Sequence, residues 1–172
     1  MVVDYKIEAI NILLDEGAIL SRYFPLIKYK EIVVKNLKER NIRMKSECSL
    51  LNDEELMNLG LENIDNVNLF KRFLQLYDVD DKKIKALSKL TLSREEKESY
   101  QELFLLPGVK ETRANLYYLS GIKTLVNLAS LNENDIINKT KECIRKNNLI
   151  LSVPLPKEVR THIAVAKAIT AK

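Results

Sequence analysis

The residues best suited to bind a ligand lie between Leu106 and Ala114, in the segment Leu-Pro-Gly-Val-Lys-Glu-Thr-Arg-Ala. Pro107 and Gly108 are typical of a tight turn, and the residues after them favour a helix. The first backbone N–H groups of a helix have no partner within it and lie at the positive end of its dipole. Because Lys110 and Arg113 add two cations to these donors, the segment predicts a phosphate-binding turn.

The neighbouring sequence places this turn between two helices. Ser93 and Glu96 fit a capping box, which predicts a helix that begins there and runs to about Leu106. A second helix is predicted from Lys110 to Leu119, with Gly121 just past its end, because glycine adopts the left-handed conformation that commonly ends helices. Two helices joined by a Pro-Gly turn are the pattern of a helix-hairpin-helix, a unit that often binds nucleic-acid backbones.

The chain also aligns with itself at an offset of 80 residues. Asn41 is predicted to be a left-handed cap, since Asn tolerates positive φ, and it aligns with Gly121. Asn52 aligns with Asn132, and each precedes acidic residues that favour a helix start. This agreement predicts a tandem duplication. The first copy has Ile27-Lys28 in place of the Pro-Gly dipeptide, so its turn is predicted to be degenerate and structural.

Helical periodicity dominates the rest of the chain. Val67, Phe70 and Leu74 share one face of a helix, and a stripe of that width is typical of a core. Helices are also predicted over about 4–20 and 26–40, and no segment alternates in the manner of a strand. We therefore expect an all-α, compact helical bundle of tandem helix-hairpin-helix-like repeats. Residues 1–90 would form the first repeat and 91–172 the second, as two lobes or as one fused body.

The charge distribution suggests where this fold would meet an anionic partner. The whole chain carries +4, whereas residues 22–45 contain eight basic and two acidic residues, a net +6. Such a segment is either a solvated helix face or a phosphate-facing patch. On the second interpretation, the basic residues expected to support the hairpin are Lys28, Lys30, Lys35 and Lys123.

Residues that could perform catalysis are sparse, so the sequence predicts a protein that is not an enzyme and has no cofactor or metal. His162 is the only histidine and lies within a predicted helix, where a surface or core role is the usual one. Cys48 and Cys143 are far apart and lack a metal-ligand spacing, which favours free thiols in a reducing compartment. The N-terminus lacks the pattern of a signal peptide, and the apolar runs are too short to span a bilayer. A cytoplasmic protein with no membrane association is expected.

Residues 103–168 resemble the second half of an uncharacterised bacterial domain family built from tandem helix-hairpin-helix-like repeats. The resemblance implies a helical fold and a link to nucleic acid, and it implies no established activity. One departure is Lys110, which stands where the usual hairpin has a second glycine and which limits close approach of a phosphate. The matching segments are Leu106–Val109, Ala114, Leu119, Gly121–Leu125, Leu128–Ala129, Leu155–Val159 and Ala166–Ala168.

The sequence therefore predicts a small binding module that holds the backbone of DNA or RNA without sequence specificity. Gly108, Lys110 and Arg113 would form its centre. The alternative is a protein-interaction scaffold that uses the same fold without contacting phosphate.

Overall fold

Helices make up most of residues 1–171, the part of the chain that the computed structural model describes, and the predicted all-α class is confirmed. Within these residues no strand is present, and one antiparallel bridge joins Lys6 to Met44. Short 3-10 segments cover Ile7–Ala9 and Ser21–Tyr29, and a π-helical turn covers Met57–Leu61. The α-helices are α1 (Ile10–Leu13), α2 (Lys30–Glu39), α3 (Lys45–Cys48), α4 (Asp53–Leu56), α5 (Ile64–Gln75), α6 (Asp81–Ser88), α7 (Arg94–Leu103), α8 (Glu111–Leu119), α9 (Leu125–Ala129), α10 (Glu133–Lys146) and α11 (Pro156–Thr170).

Several helices begin at the capping residues that the sequence predicts. Ser93 forms a complete capping box with Glu96 at the start of α7. Asn132 accepts a hydrogen bond of 2.8 Å from the backbone N–H of Asp135 at the start of α10. Asn52 caps α4 in the same way, with a bond of the same length. These side chains satisfy N–H groups that have no partner within the helix, so the helix starts are fixed locally.

The two predicted left-handed caps also have closely similar geometry. Asn41 has φ +59° and Gly121 has φ +83°. The residue after each donates its N–H back into the helix, from Ile42 to the carbonyl of Leu37 at 3.0 Å and from Ile122 to that of Tyr117 at 2.9 Å. Residues 30–56 and 111–136 thus share one succession of features. Each has a helix, a left-handed residue, a short helix and a capped helix start.

The predicted helix over residues 4–20 is wrong in its extent. Only Ile7–Ala9 and Ile10–Leu13 are helical there, and Leu14 leaves the helical conformation. Residues 5–7 are held extended by the chain around residue 44. The N–H of Ile7 donates to the carbonyl of Arg43, and the N–H of Lys45 donates to that of Tyr5, each at 2.9 Å. Pairing with a distant segment therefore overrides the helical periodicity.

One continuous apolar core draws residues from both ends of the chain, including the predicted stripe of α5. The last helix, α11, packs on α1 and α9 and so connects the two ends. Thr161 donates its hydroxyl to the carbonyl of Ala18 at 2.6 Å, and Arg160 donates to that of Gly17 at 2.8 Å. Within residues 1–171, no helix combines the length and the apolar character needed to cross a membrane.

Candidate anion-binding hairpin

The turn between α7 and α8 is tight and faces solvent. Leu106 and Val109 are fully buried, and the N–H of Val109 donates to the carbonyl of Leu106 at 3.2 Å. Gly108 between them is exposed and has φ +72°, with nothing within 4 Å of the position that a Cβ would take. The requirement for glycine is therefore conformational, and the space beside the turn is open.

Lys110 follows this turn as the N-cap residue of α8. It has an extended backbone, its side chain is exposed, and it makes no capping hydrogen bond to the first turn of the helix. The free N–H groups and positive dipole end of α8 thus lie beside an exposed ammonium group.

Two consecutive carbonyl groups of the turn are held by side chains from distant helices. Lys83 of α6 donates its ammonium to the carbonyl of Leu106 at 2.7 Å. His162 of α11 lies with Nε2 2.8 Å from the carbonyl oxygen of Pro107. Since a carbonyl can only accept, Nε2 carries the proton, and Nδ1 accepts from the hydroxyl of Tyr117 at 2.7 Å. These contacts fix the orientation of the turn from two sides.

His162 is a core residue, one of the two non-catalytic roles that the sequence suggests for it. It is 1% exposed, and both of its ring nitrogens have partners. Burial lowers its pKa below the ordinary range of histidine, because a charged imidazolium is poorly solvated there. The neutral tautomer described above is therefore the favoured form at neutral pH.

The charges around the turn divide into a paired set and an unpaired set. Arg113 binds Glu158 of α11, with Nε 2.9 Å from Oε1 and Nη2 3.4 Å from Oε2. Both side chains are largely covered, at 21% and 32% exposure. Lys83 is half-buried, and burial together with the charge of Lys110 lowers its pKa to about 8. Arg113 can reach a phosphate only by releasing Glu158, whereas Lys110 is already exposed.

The remaining residues of the predicted surface lie elsewhere. Lys123 is exposed with its ammonium 4.7 Å from the ring centroid of Tyr118, past the far end of α8. A nine-residue helix is about 13 Å long, so Lys123 lies that far along the axis from the turn. Lys28 and Lys35 are exposed, while Lys30 donates to the carbonyl of Leu14 at 3.1 Å.

The basic segment 22–45 does not form one uniform solvated face, because Lys45 at its end is internal. Lys45 is 2% exposed and its ammonium lies 2.8 Å from the carboxylate of Asp78 and 2.6 Å from the carbonyl of Val3. Its charge is thereby removed from any surface. The Ser21–Tyr29 segment is a 3-10 helix where the second copy has its Pro-Gly turn.

Other candidate reactive groups have structural partners. Asp80 caps α6 by accepting from the N–H of Lys82 at 2.8 Å, and Asp78 is bound to Lys45. Burial raises the pKa of the Cys48 thiol to about 12, which keeps it protonated. In residues 1–171, no three His, Cys, Asp or Glu side chains lie close enough together to hold a metal ion.

Compared with protein-family models, with curated proteins and with solved structures, the chain matches none. The resemblance to a helix-hairpin-helix-like domain family thus stays a prediction, and function has to be argued from the geometry of the turn.

Proposed function

We propose that the chain is a non-enzymatic binding module that holds the phosphate backbone of DNA or RNA at the turn between α7 and α8. In this proposal the fold is a tandem pair of helix-hairpin-helix-like repeats, and the second copy carries the binding turn. The matching left-handed caps Asn41 and Gly121, and the matching capping boxes at Asn52 and Asn132, support the duplication.

The observation that carries the proposal is the open surface at Gly108 and Lys110. Gly108 has a positive φ and free space beside it, and Lys110 presents an exposed ammonium at the uncapped N-terminus of α8. Backbone N–H groups, a helix dipole and a lysine are together suited to a phosphate oxygen and carry no base specificity. Binding is accordingly expected to depend on the backbone and not on sequence.

The other basic residues have graded roles in this proposal. Arg113 contributes if a phosphate competes successfully with Glu158 for its guanidinium. Lys123, Lys28 and Lys35 are exposed and contribute through long-range attraction. Lys30 is engaged with the carbonyl of Leu14, so its contribution is the smallest.

Fluorescence anisotropy with short single- and double-stranded DNA and RNA, titrated against salt, tests the proposal. Binding should weaken log-linearly with salt, since each neutralised phosphate releases counterions. Replacing Lys110→Glu should weaken binding roughly tenfold, or about 1.4 kcal/mol, and lower the salt slope by about one. The helical circular dichroism signal should stay unchanged, because Lys110 is exposed and makes no capping bond.

Lys139→Glu is the matched control, since Lys139 is exposed on α10 and the change in charge is the same. It should alter affinity far less than Lys110→Glu. Equal losses in the two variants would mean that only net charge matters, and the hairpin would lose its role. No binding of any nucleic acid at low salt would rule out the proposed function.

A protein-interaction scaffold is the second candidate, and the segment between α10 and α11 favours it. Ile150 is fully exposed and Leu155 is 71% exposed. Exposed apolar residues this close in sequence are a common feature of protein-binding surfaces. This candidate gains if nucleic acid fails to bind at low salt and Ile150→Ser leaves the fold unchanged.

A further inference from the structure

We propose that α6 is the second half of the phosphate-binding surface, with Lys83 and Lys110 sharing one phosphate and the exposed lysines of α6 contacting the next ones. The ligand class is a single-stranded nucleic-acid backbone. This inference rests on the proposed function and names a surface, α6, that lies outside the hairpin itself.

The attachment of α6 to the turn is the first observation. None of its residues is fully buried, so apolar packing holds it only loosely. Lys83 is its direct link to the hairpin, through the 2.7 Å hydrogen bond to Leu106 and an ammonium 5.8 Å from the ring centroid of Phe104. A basic side chain thus brings the helix against the proposed site.

The uncompensated charge at this junction is the second observation. Lys110 repels Lys83 across the turn strongly enough to lower the pKa of Lys83. The one carboxylate of α11 beside the turn, Glu158, is already bound to Arg113. A phosphate placed between Lys83 and Lys110 would replace this repulsion by two attractions. The titratable and charged groups around Lys83 are Lys110 and Arg113 from the hairpin and α8, Glu158 and neutral His162 from α11, and Asp80, Asp81, Lys82 and Lys85 on or beside α6.

A stripe of lysines on α6 is the third observation. Lys82, Lys85 and Lys89 are exposed and follow the i, i+3, i+7 spacing of one helix face. At a rise of 1.5 Å per residue they extend over about 10 Å, comparable with about three nucleotides of a strand. Ile84 and Leu87 point away from this stripe, and Leu87 packs against the core. The stripe therefore continues from the hairpin with a reach that suits consecutive phosphates.

The decisive experiment measures affinity against pH for the full chain and an oligonucleotide of adenine and cytosine only, whose bases do not titrate between pH 7 and 9. Free Lys83 loses its proton near pH 8, and a bound phosphate favours the charged form. Affinity should therefore be flat below about pH 7 and fall about tenfold by pH 9, as protons must be taken up on binding.

Two variants of Lys83 make this readout specific. Lys83→Arg keeps a permanent charge, so it should bind like the wild type at pH 7 and lose the fall toward pH 9. Lys83→Gln keeps an N–H donor for Leu106 without the charge, and it should bind about tenfold more weakly at pH 7 with no pH dependence. A residue that only supported the fold would not produce opposite affinities and equal pH profiles in these two variants.

The stripe is tested by replacing Lys82, Lys85 and Lys89 together with Gln, which has a similar helix propensity. The salt slope for the single strand should fall by about two, since each phosphate contact adds about 0.7. The matched control replaces the exposed Lys139, Lys141 and Lys146 of α10 with Gln, and its slope should stay near that of the wild type.

The outcomes separate this inference from the proposed function. Wild-type binding with an unchanged pH profile in Lys83→Gln would overturn the role of α6 and leave the hairpin intact. If no oligonucleotide binds, the proposed function fails, and a pyrophosphate titration followed by the ¹³Cε resonance of Lys83 decides. A rise in the pKa of Lys83 would then support a shared site for free phosphate, and an unchanged pKa would overturn the shared site.

Discussion

His162 should control both the stability of the fold and its dependence on pH. Its imidazole joins α11 to the hairpin by two hydrogen bonds inside the core, to Pro107 and to Tyr117. His162→Phe approximately preserves the volume of the side chain and removes both bonds. His162→Gln offers one donor and one acceptor in their place, so it should be the milder change.

The expected magnitude follows from the two groups that Phe leaves without partners. A buried polar group that loses its partner costs about 1–3 kcal/mol. The Tyr117 side chain is fully buried and should incur the larger cost, whereas Pro107 is partly exposed and its carbonyl can recruit water. We therefore expect His162→Phe to lower the free energy of unfolding by roughly 2–4 kcal/mol and His162→Gln by about 1 kcal/mol. Against a typical total of about 5–15 kcal/mol, both losses are measurable.

The pH dependence has a definite sign. Burial lowers the pKa of His162 in the folded protein, so the unfolded chain binds a proton at a higher pH, near 6.5. Stability from this residue is therefore complete above about pH 7 and falls as the pH drops below 6.5. The slope approaches 1.4 kcal/mol per pH unit until the lower pKa of the folded state is reached.

Urea unfolding of the wild type, His162→Gln and His162→Phe between pH 7.5 and 5.5 measures these changes. His162 is the only histidine in the chain, so loss of stability in this interval should be confined to the wild type. Parallel losses in the wild type and His162→Gln would refute the assignment of the buried neutral tautomer. The urea m-values should agree among the three proteins if all unfold from the same compact state.

Two further predictions concern internal ionic and backbone features. Lys45→Met should lower the unfolding free energy by roughly 2–4 kcal/mol in urea denaturation, because the Asp78 carboxylate and the N-terminal segment lose a partner that is 2% exposed. Gly121→Ala should cost about 1 kcal/mol through its positive φ alone, since no atom lies within 4 Å, whereas Asn41→Gly should be neutral or stabilising by up to about 1 kcal/mol.

The helix boundaries were predictable wherever the signal is local. Capping boxes at Ser93 and Asn132 and the left-handed caps Asn41 and Gly121 involve residues within five positions of one another, and all four have the expected geometry. The first 20 residues gave the least accurate prediction, because their conformation depends on a partner about 40 positions away. The sequence pattern carries apolar periodicity but not the identity of a distant hydrogen-bonding partner.

The hairpin could be placed from the sequence, but its supporting contacts could not. Pro107, Gly108 and Lys110 form a recognisable local pattern. Lys83 reaches the turn from 23 positions away and His162 from 55 positions away, and neither belongs to a motif. In a segment with several lysines, charge alone cannot indicate which ammonium group meets a carbonyl of the turn. A lone histidine on an apolar helix face was the only sequence signal for the second contact.

The same contacts show why the net charge of a segment is a poor guide to the phosphates that it can bind. Residues 22–45 carry most of the excess charge, yet Lys45 is spent inside the core and Lys30 on a backbone carbonyl. Arg113 in the hairpin is likewise engaged by Glu158. Lys110 and the lysines of α6, by contrast, lie next to open space or to one another. If binding follows available and not total charge, the salt slope should respond to α6 and Lys110 far more than to the basic segment of the first copy.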